Sequence, residues 1–193
     1  MQMDMNGICK AFGGNRVLRD AGISVAPGEI HALMGENGAG KSTLMKILTG
    51  VYTKDSGVIQ VDGKAVSFQN PQEAERAGIV FIHQELNVLA DMTVEENMFL
   101  GKELCSRFGV CDTKKMRTKA QEILQKLGVS ISPGAVMAEL SVGQQQMVEI
   151  AKALMVDAQL IIMDEPTAAL TQSETHILFE TIRALKEKGV SMV

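Results

Sequence analysis

Gly35-Glu36-Asn37-Gly38-Ala39-Gly40-Lys41-Ser42 fits the spacing GxxxxGK followed by serine or threonine at every fixed position. Glycines let a backbone curl until successive N–H groups converge on one anion. A helix that opens at such a loop adds the positive end of its dipole. Lys41 brings a full charge to the β- and γ-phosphates of a nucleotide, and the Ser42 hydroxyl is a ligand type suited to Mg2+. The pattern implies nucleotide binding. It leaves open what the nucleotide drives.

A second group is Leu160-Ile161-Ile162-Met163-Asp164-Glu165, an apolar run that ends in two acids. A buried strand delivering carboxylates to a sheet edge suits a Mg2+ partner. Asp164 would hold the metal through water, and Glu165 would polarise an attacking water as general base. Pro166 disfavours a helical backbone at Glu165, so an extended Glu165 is expected. A third group is Leu140-Ser141-Val142-Gly143-Gln144-Gln145-Gln146, just ahead of a helical pattern. A serine and a glycine at a helix N-terminus make another anion site from free N–H groups.

These residues need elements to hold them. Glu29–Met34 reads as a mostly apolar strand running into the glycine loop, and the apolar positions from Thr43 to Leu48 read as the helix after it. Gly22–Ala26 reads as an earlier strand. Gly57–Phe68 reads as a hairpin turning at Asp62-Gly63, and Gly78–Ile82 as a short buried strand. Met116, Ala120, Ile123, Leu124 and Leu127 fall on one helix face, with Gly128 as a stop. A further helix carries Met147, Val148, Ala151, Leu154 and Met155. Leu160–Met163 returns to strand, Ser173–Lys188 to helix, and Val190–Val193 begins one more buried strand. A chain that stops within a core strand is expected to be incomplete.

Composition narrows the function classes. The 193 residues are 46% apolar and 22% charged, which suits one globular domain with a core. A net charge of -4 argues against a nucleic-acid binder. The basic run at Lys114, Lys115, Arg117 and Lys119 reads as a solvated helix face. Cys9, Cys105 and Cys111 are scattered without CxxC spacing, which fits a reducing compartment better than a disulfide scaffold or a zinc site. No apolar run approaches the ~20 residues of a membrane helix, so spanning segments would belong to a partner.

The stretch Leu140–Gln146, lying between the phosphate loop and the acidic strand, resembles the signature motif of ATP-binding-cassette proteins, with Val142 where glycine is usual. The resemblance implies a P-loop NTPase core of α/β class: a parallel sheet, an antiparallel β subdomain and an inserted α-helical subdomain. It implies one cassette over 1–193, with residues 1–86 and 157–193 as ATP-binding core and 87–156 as helical signature subdomain. It implies ATP and Mg2+ as cofactors. By motif position, Gly35, Glu36, Asn37, Gly38, Ala39, Gly40, Lys41, Ser42 and Thr43 would cradle the phosphates, and Phe12 would stack on adenine. Ser141, Gly143 and Gln144 would close over a nucleotide held by a second cassette. Ser42, Asp164 and Gln84, from Ile82-His83-Gln84-Glu85, would serve the metal, and Lys41, Gln84 and Glu165 the hydrolysis. His31 and His83 are read as structural.

Asn70–Ala74, Val88–Gly101 and Glu165–Thr171 resemble the ribose, galactose and xylose importer group, whose ATPase chain carries two cassettes in tandem. This sequence resembles the first. The resemblance implies a peripheral protein on the cytoplasmic face of the membrane, partnered by transmembrane permease subunits and, indirectly, a sugar-binding protein. The competing reading is an ATPase of the same family acting on ribosomes or DNA; it would bring basic extensions or coiled-coil insertions. A small-molecule kinase would not need Gln84 or Leu140–Gln144. Two departures are noted. Thr171 stands where the wider family has aspartate, and a histidine that contacts the γ-phosphate would lie beyond Val193. The chain alone is therefore expected to bind Mg-ATP and hydrolyse it poorly.

Overall fold

A computed structural model describes every residue except 85, 106–108 and 169. Glu85 and Ala169, quoted within the motifs above, lie outside the described residues. In chain order the elements are β1 (Met3–Phe12), β2 (Asn15–Val25), α1 (Lys41–Leu48), β3 (Ser56–Val61), β4 (Lys64–Val66), α2 (Pro71–Arg76), β5 (Ile79–Ile82), α3 (Val94–Phe99), α4 (Thr113–Lys126), α5 (Val142–Met155), β6 (Leu160–Met163), α6 (Gln172–Glu187) and β7 (Ser191–Met192). Contacts divide them into two compact units. One holds Met1–Ile82, Val156–Asp164 and Leu185–Val193; the other holds His83–Met155 and Glu165–Ala184. The second unit thus takes in Glu165–Ala184 as well as the helical stretch read from the sequence.

The first unit contains an antiparallel sheet ordered β2-β1-β3-β4 and a parallel sheet ordered β5-β6-β7. Along β1, Met3, Met5 and Ile8 are buried, and Met3 pairs with Val25 and Met5 with Ile23 across β2. The expected hairpin forms: β3 and β4 join at Asp62 and Gly63, both at positive φ (48° and 76°), which suits a tight turn matched to strand twist. Leu44, Met45, Ile47 and Leu48 of α1 join Ile79, Leu160 and Ile162 in the same core cluster. A fully buried apolar side chain contributes on the order of 1.5–3 kcal/mol, so this face of α1 anchors the loop in front of it.

The strand read over Glu29–Met34 reduces to a single parallel bridge, Ile30 to Met192. His31 N donates to Met192 O (2.8 Å) and Met192 N to Glu29 O (2.8 Å). The pairing ends there, and Met34 is 87% exposed. An apolar run signals burial only where a neighbouring strand continues beside it; here β7 spans only Ser191–Met192.

In the second unit, α3 opens with a capping box. Thr93 Oγ1 accepts from Glu96 N, while the Glu96 carboxylate accepts from Thr93 N. Buried Asn97 staples the segment ahead of it: its Oδ1 accepts from Leu89 N at 2.7 Å and its Nδ2 donates to Leu89 O at 3.0 Å. Met116, Ala120, Ile123, Leu124 and Leu127 are all buried, as their spacing requires, and Gly128 follows at φ 73°. The residues 165–184 carry most of α6, whose Leu178, Thr181 and Ile182 are buried. Among the described residues, no helix is long and apolar enough to cross a membrane.

Candidate nucleotide-binding site

In the first unit, residues 35–39 form an exposed loop and Gly40 is its buried hinge. Gly40 sits at φ 95° as the left-handed N-cap of α1. A Cβ there would lie 2.6 Å from Leu18 Cδ2 and 3.3 Å from Val17 O, so both the backbone and the close approach to β2 demand glycine. The loop closes on itself through Ala39 N to Glu36 O (3.1 Å). Lys41 Nζ donates to Gly35 O (2.7 Å) and Glu36 O (3.0 Å), which places the ammonium over the start of the loop. Ser42 and Thr43 follow, half-buried, in the first turn of α1, where backbone N–H groups have no intrahelical acceptor.

Asp164 leaves the end of β6 half-buried, its N–H donating to Ile82 O at 3.2 Å. Because β5, β6, β7 and the Ile30 bridge all run parallel, Asp164 and the glycine loop leave the same edge of this sheet, with β7 between their strands. Ligand sites in open parallel sheets collect at that edge. Ser42 and Asp164 offer a hydroxyl and a carboxylate, hard oxygens of the kind Mg2+ accepts.

Phe12 ends β1 at 40% exposure. Its ring packs edge-on to Tyr52, with centroids 5.1 Å apart and planes at 69°, and Lys10 Nζ lies 5.2 Å from its centroid. Sequence reasoning singled out Phe12 and missed Tyr52. The signal was available, since Tyr52 is the sole tyrosine in the chain and closely follows the α1 segment.

In the second unit, Gln84 and Glu165 come together although 81 positions apart: Gln84 Nε2 donates to Glu165 Oε2 at 3.3 Å. Both are exposed. Glu165 is not extended as expected; its φ is 47°. Proline restricts the preceding residue mainly against the right-handed helical region. The left-handed region remains open to Glu165, as it is to Asp62 in the β3–β4 turn.

Ser141 and Gln144 make a reciprocal capping box at the start of α5. Gln144 N donates to Ser141 Oγ (3.3 Å) and Ser141 N to Gln144 Oε1 (3.0 Å). Glu174 then enters the motif. Its Oε1 accepts from Ser141 Oγ (2.6 Å) and from Gly143 N (3.1 Å). A Cβ on Gly143 would lie 2.5 Å from the Glu174 carboxyl carbon, which is why no side chain fits there. Glu174 Oε2 closes a second box on α6, accepting from Thr171 N (2.9 Å) and Thr171 Oγ1 (2.8 Å). The Ser141 hydroxyl, followed by the Thr171 backbone and hydroxyl, holds the Glu174 carboxyl down at about 2. Sequence reasoning missed Glu174, although Thr171-x-x-Glu174 ahead of a helix is a capping-box pattern.

A glycine loop that opens a helix at the edge of a parallel sheet, with an acid ending the strand two places away, defines a phosphate-loop protein of α/β class. The ABC transporter family matches residues 18–168, and the chain belongs to that family. Over its whole length it is 58% identical to the ribose import ATP-binding protein RbsA of Bacillus licheniformis and 53% identical to that of Lactococcus lactis. It spans 39% of the length of these relatives. Among solved structures, it superposes with TM-score 0.87 on an ATP-binding cassette of an ABC transporter in its ADP conformation, at 32% identity, covering 100% of this chain and 80% of the other. A dimeric ATP-binding cassette in a post-hydrolysis state with ADP and Pi superposes at 0.80, with 26% identity, over 99% of this chain and 86% of the other.

Proposed function

We propose that the chain is an ATP-binding cassette of a sugar importer, coupling ATP binding and hydrolysis to uptake of a monosaccharide, with ribose the first candidate. The observation that carries the ATPase reading is the loop Gly35–Ser42, hinged at Gly40 and opening α1. The sugar assignment is supported by relatives named as ribose import proteins at 53–58% identity over the whole chain. Such a protein works at the cytoplasmic face of the membrane with transmembrane permease subunits, a second cassette and, indirectly, a sugar-binding protein.

In this reading residues 1–86 and 157–193 supply the ATP-binding core, and 87–156 the signature subdomain. Phe12 carries adenine, with Tyr52 bracing its ring. Gly35–Thr43 cradle the phosphates through N–H groups, and Lys41 adds a full charge. Bound Mg2+ would neutralise phosphate charge, with Ser42, Gln84 and Asp164 as its oxygen donors. Glu165 accepts the proton of the attacking water, which Gln84 orients. Ser141, Gly143 and Gln144 serve a nucleotide held by another cassette once Glu174 releases the Ser141 hydroxyl and the Gly143 N–H, so the chain alone binds ATP and turns it over slowly. Convergence of donors from two cassettes on the γ-phosphate concentrates stabilisation where charge develops.

Calorimetric titration with ATP and Mg2+ tests the first step. Saturable binding that requires Lys41 supports the reading; unchanged affinity in Lys41→Ala refutes the loop assignment. For the sugar, a strain whose only ribose-importer ATPase carries this chain as its first cassette should take up labelled ribose. Failure there, with ATP binding intact, would remove the sugar and leave the ATPase.

A further inference from the structure

In the sequence Cys105 and Cys111 are scattered thiols without CxxC spacing. The structure brings their sulfur atoms to 3.3 Å. Their backbones face each other in an antiparallel bridge, closed on the next pair by Asp112 N donating to Leu104 O at 2.7 Å. Facing residues of an antiparallel pair have Cα atoms about 4.5–5.5 Å apart, within the range a disulfide spans without moving the backbone. Both thiols are exposed, whereas Cys9 is half-buried and accepts from Asp20 N at 3.4 Å.

We propose that Cys105 and Cys111 form a reversible dithiol–disulfide site whose co-reactant is a low-molecular-weight disulfide. The reaction has two exchanges. One cysteine sulfur attacks a sulfur of the small disulfide; that S–S bond breaks and one small thiolate leaves. The second cysteine then attacks the mixed disulfide, the Cys105–Cys111 bond forms, and the second small thiolate leaves. The two cysteine protons pass to the departing thiolates. The pair loses two electrons, and the small disulfide gains them as two thiols.

The Cys105 thiol is pushed up by its hydrogen bond to Cys111, then by desolvation, with the Cys111 and Glu103 charges adding to it. Either sulfur can make the first attack, and the other then resolves the mixed disulfide. The bridge would close the ring 105–111 beside the N-cap of α4, where Asp112 Oδ1 accepts from Lys115 N at 3.0 Å. Oxidation therefore ties down the chain's entry into α4. Nothing in this rests on the nucleotide reading.

The test uses the Cys9→Ser chain, equilibrated with mixtures of reduced and oxidised glutathione, quenched by alkylation and read by intact mass and peptide mapping. The expected product is lighter by two hydrogens, with Cys105 and Cys111 bridged within one chain and released by dithiothreitol. Cysteines that stay alkylatable at every ratio overturn the proposal, as do products that stop at glutathione adducts or link two chains. With one partner replaced, by Cys105→Ser or by Cys111→Ser, the remaining cysteine should hold a single glutathione. A remaining cysteine left bare in both variants overturns the exchange through a mixed disulfide.

Discussion

The Glu174 carboxylate accepts a 2.6 Å hydrogen bond from the Ser141 hydroxyl, joining the starts of α5 and α6 through one side chain. The two helix starts therefore share one negative charge, and each dipole favours it.

That sharing gives an acid limb to stability. The folded Glu174 carboxyl lies at about 2, below its ordinary 4.5, so the folded state binds fewer protons than the unfolded one. Its contribution is fully present above the unfolded value and is lost as pH falls towards about 2. Glu174→Gln should lower Tm by a few degrees near neutral pH. The difference should shrink as pH approaches the folded value. Thermal melts followed by circular dichroism check this; a difference constant with pH would show that shape, not charge, carries the contact.

Lys41 is held by two loop carbonyls, Gly35 O and Glu36 O, so its ammonium is aimed before any phosphate arrives. Hydrogen bonds to charged groups are worth roughly 1.5–3 kcal/mol. Lys41→Ala should therefore weaken ATP binding about tenfold to a hundredfold, with Tm nearly unchanged because the loop is exposed. Lys41→Arg tests position against charge; the planar guanidinium should recover only part of the loss. Calorimetry on the three chains reads both effects.

The parts legible in the sequence were those fixed by local chemistry. The glycine loop, the Asp62-Gly63 turn and the buried face of α4 each follow from residues close together in the chain. Glu29–Met34 was misread because strand pairing depends on a distant partner, and β7 offers only one bridge to Ile30. The Glu165 backbone escaped prediction because the rule before proline excludes one region without choosing among the rest. Gln84 meeting Glu165, and Cys105 meeting Cys111, are tertiary relationships that spacing alone does not encode. Glu174 was legible as a cap, but its second bond, to a serine 33 positions away, was not.

Phe12 presents an exposed ring braced edge-on by Tyr52. Base–aromatic stacking is worth about 1–3 kcal/mol. Phe12→Ala should weaken binding of ATP and of GTP to similar extents, about fivefold or more, because every purine has a face to stack. Phe12→Trp should retain binding. Tyr52→Ala should cost less than Phe12→Ala, since it removes the brace and leaves the platform. Fluorescence titration with a labelled nucleotide separates these ranks, and equal losses at both positions would make Tyr52 a second platform.

Glu165 and Gln84 are the pair whose removal should separate binding from chemistry. In the role proposed for it, the carboxylate is needed only when a proton leaves the attacking water, so Glu165→Gln should leave ATP affinity intact. Turnover by the proposed importer assembly should fall by about a hundredfold or more, the usual contribution of a positioned general base. Gln84→Ala removes the donor 3.3 Å from that carboxylate and should reduce turnover less, because the base remains. The positive φ of Glu165 adds a discriminating variant. Glu165→Gly relieves the backbone and deletes the base, so it should match Glu165→Gln in rate while raising or preserving Tm. If Glu165→Gly is less stable than Glu165→Gln, then the side-chain bond to Gln84, rather than the backbone, governs this turn.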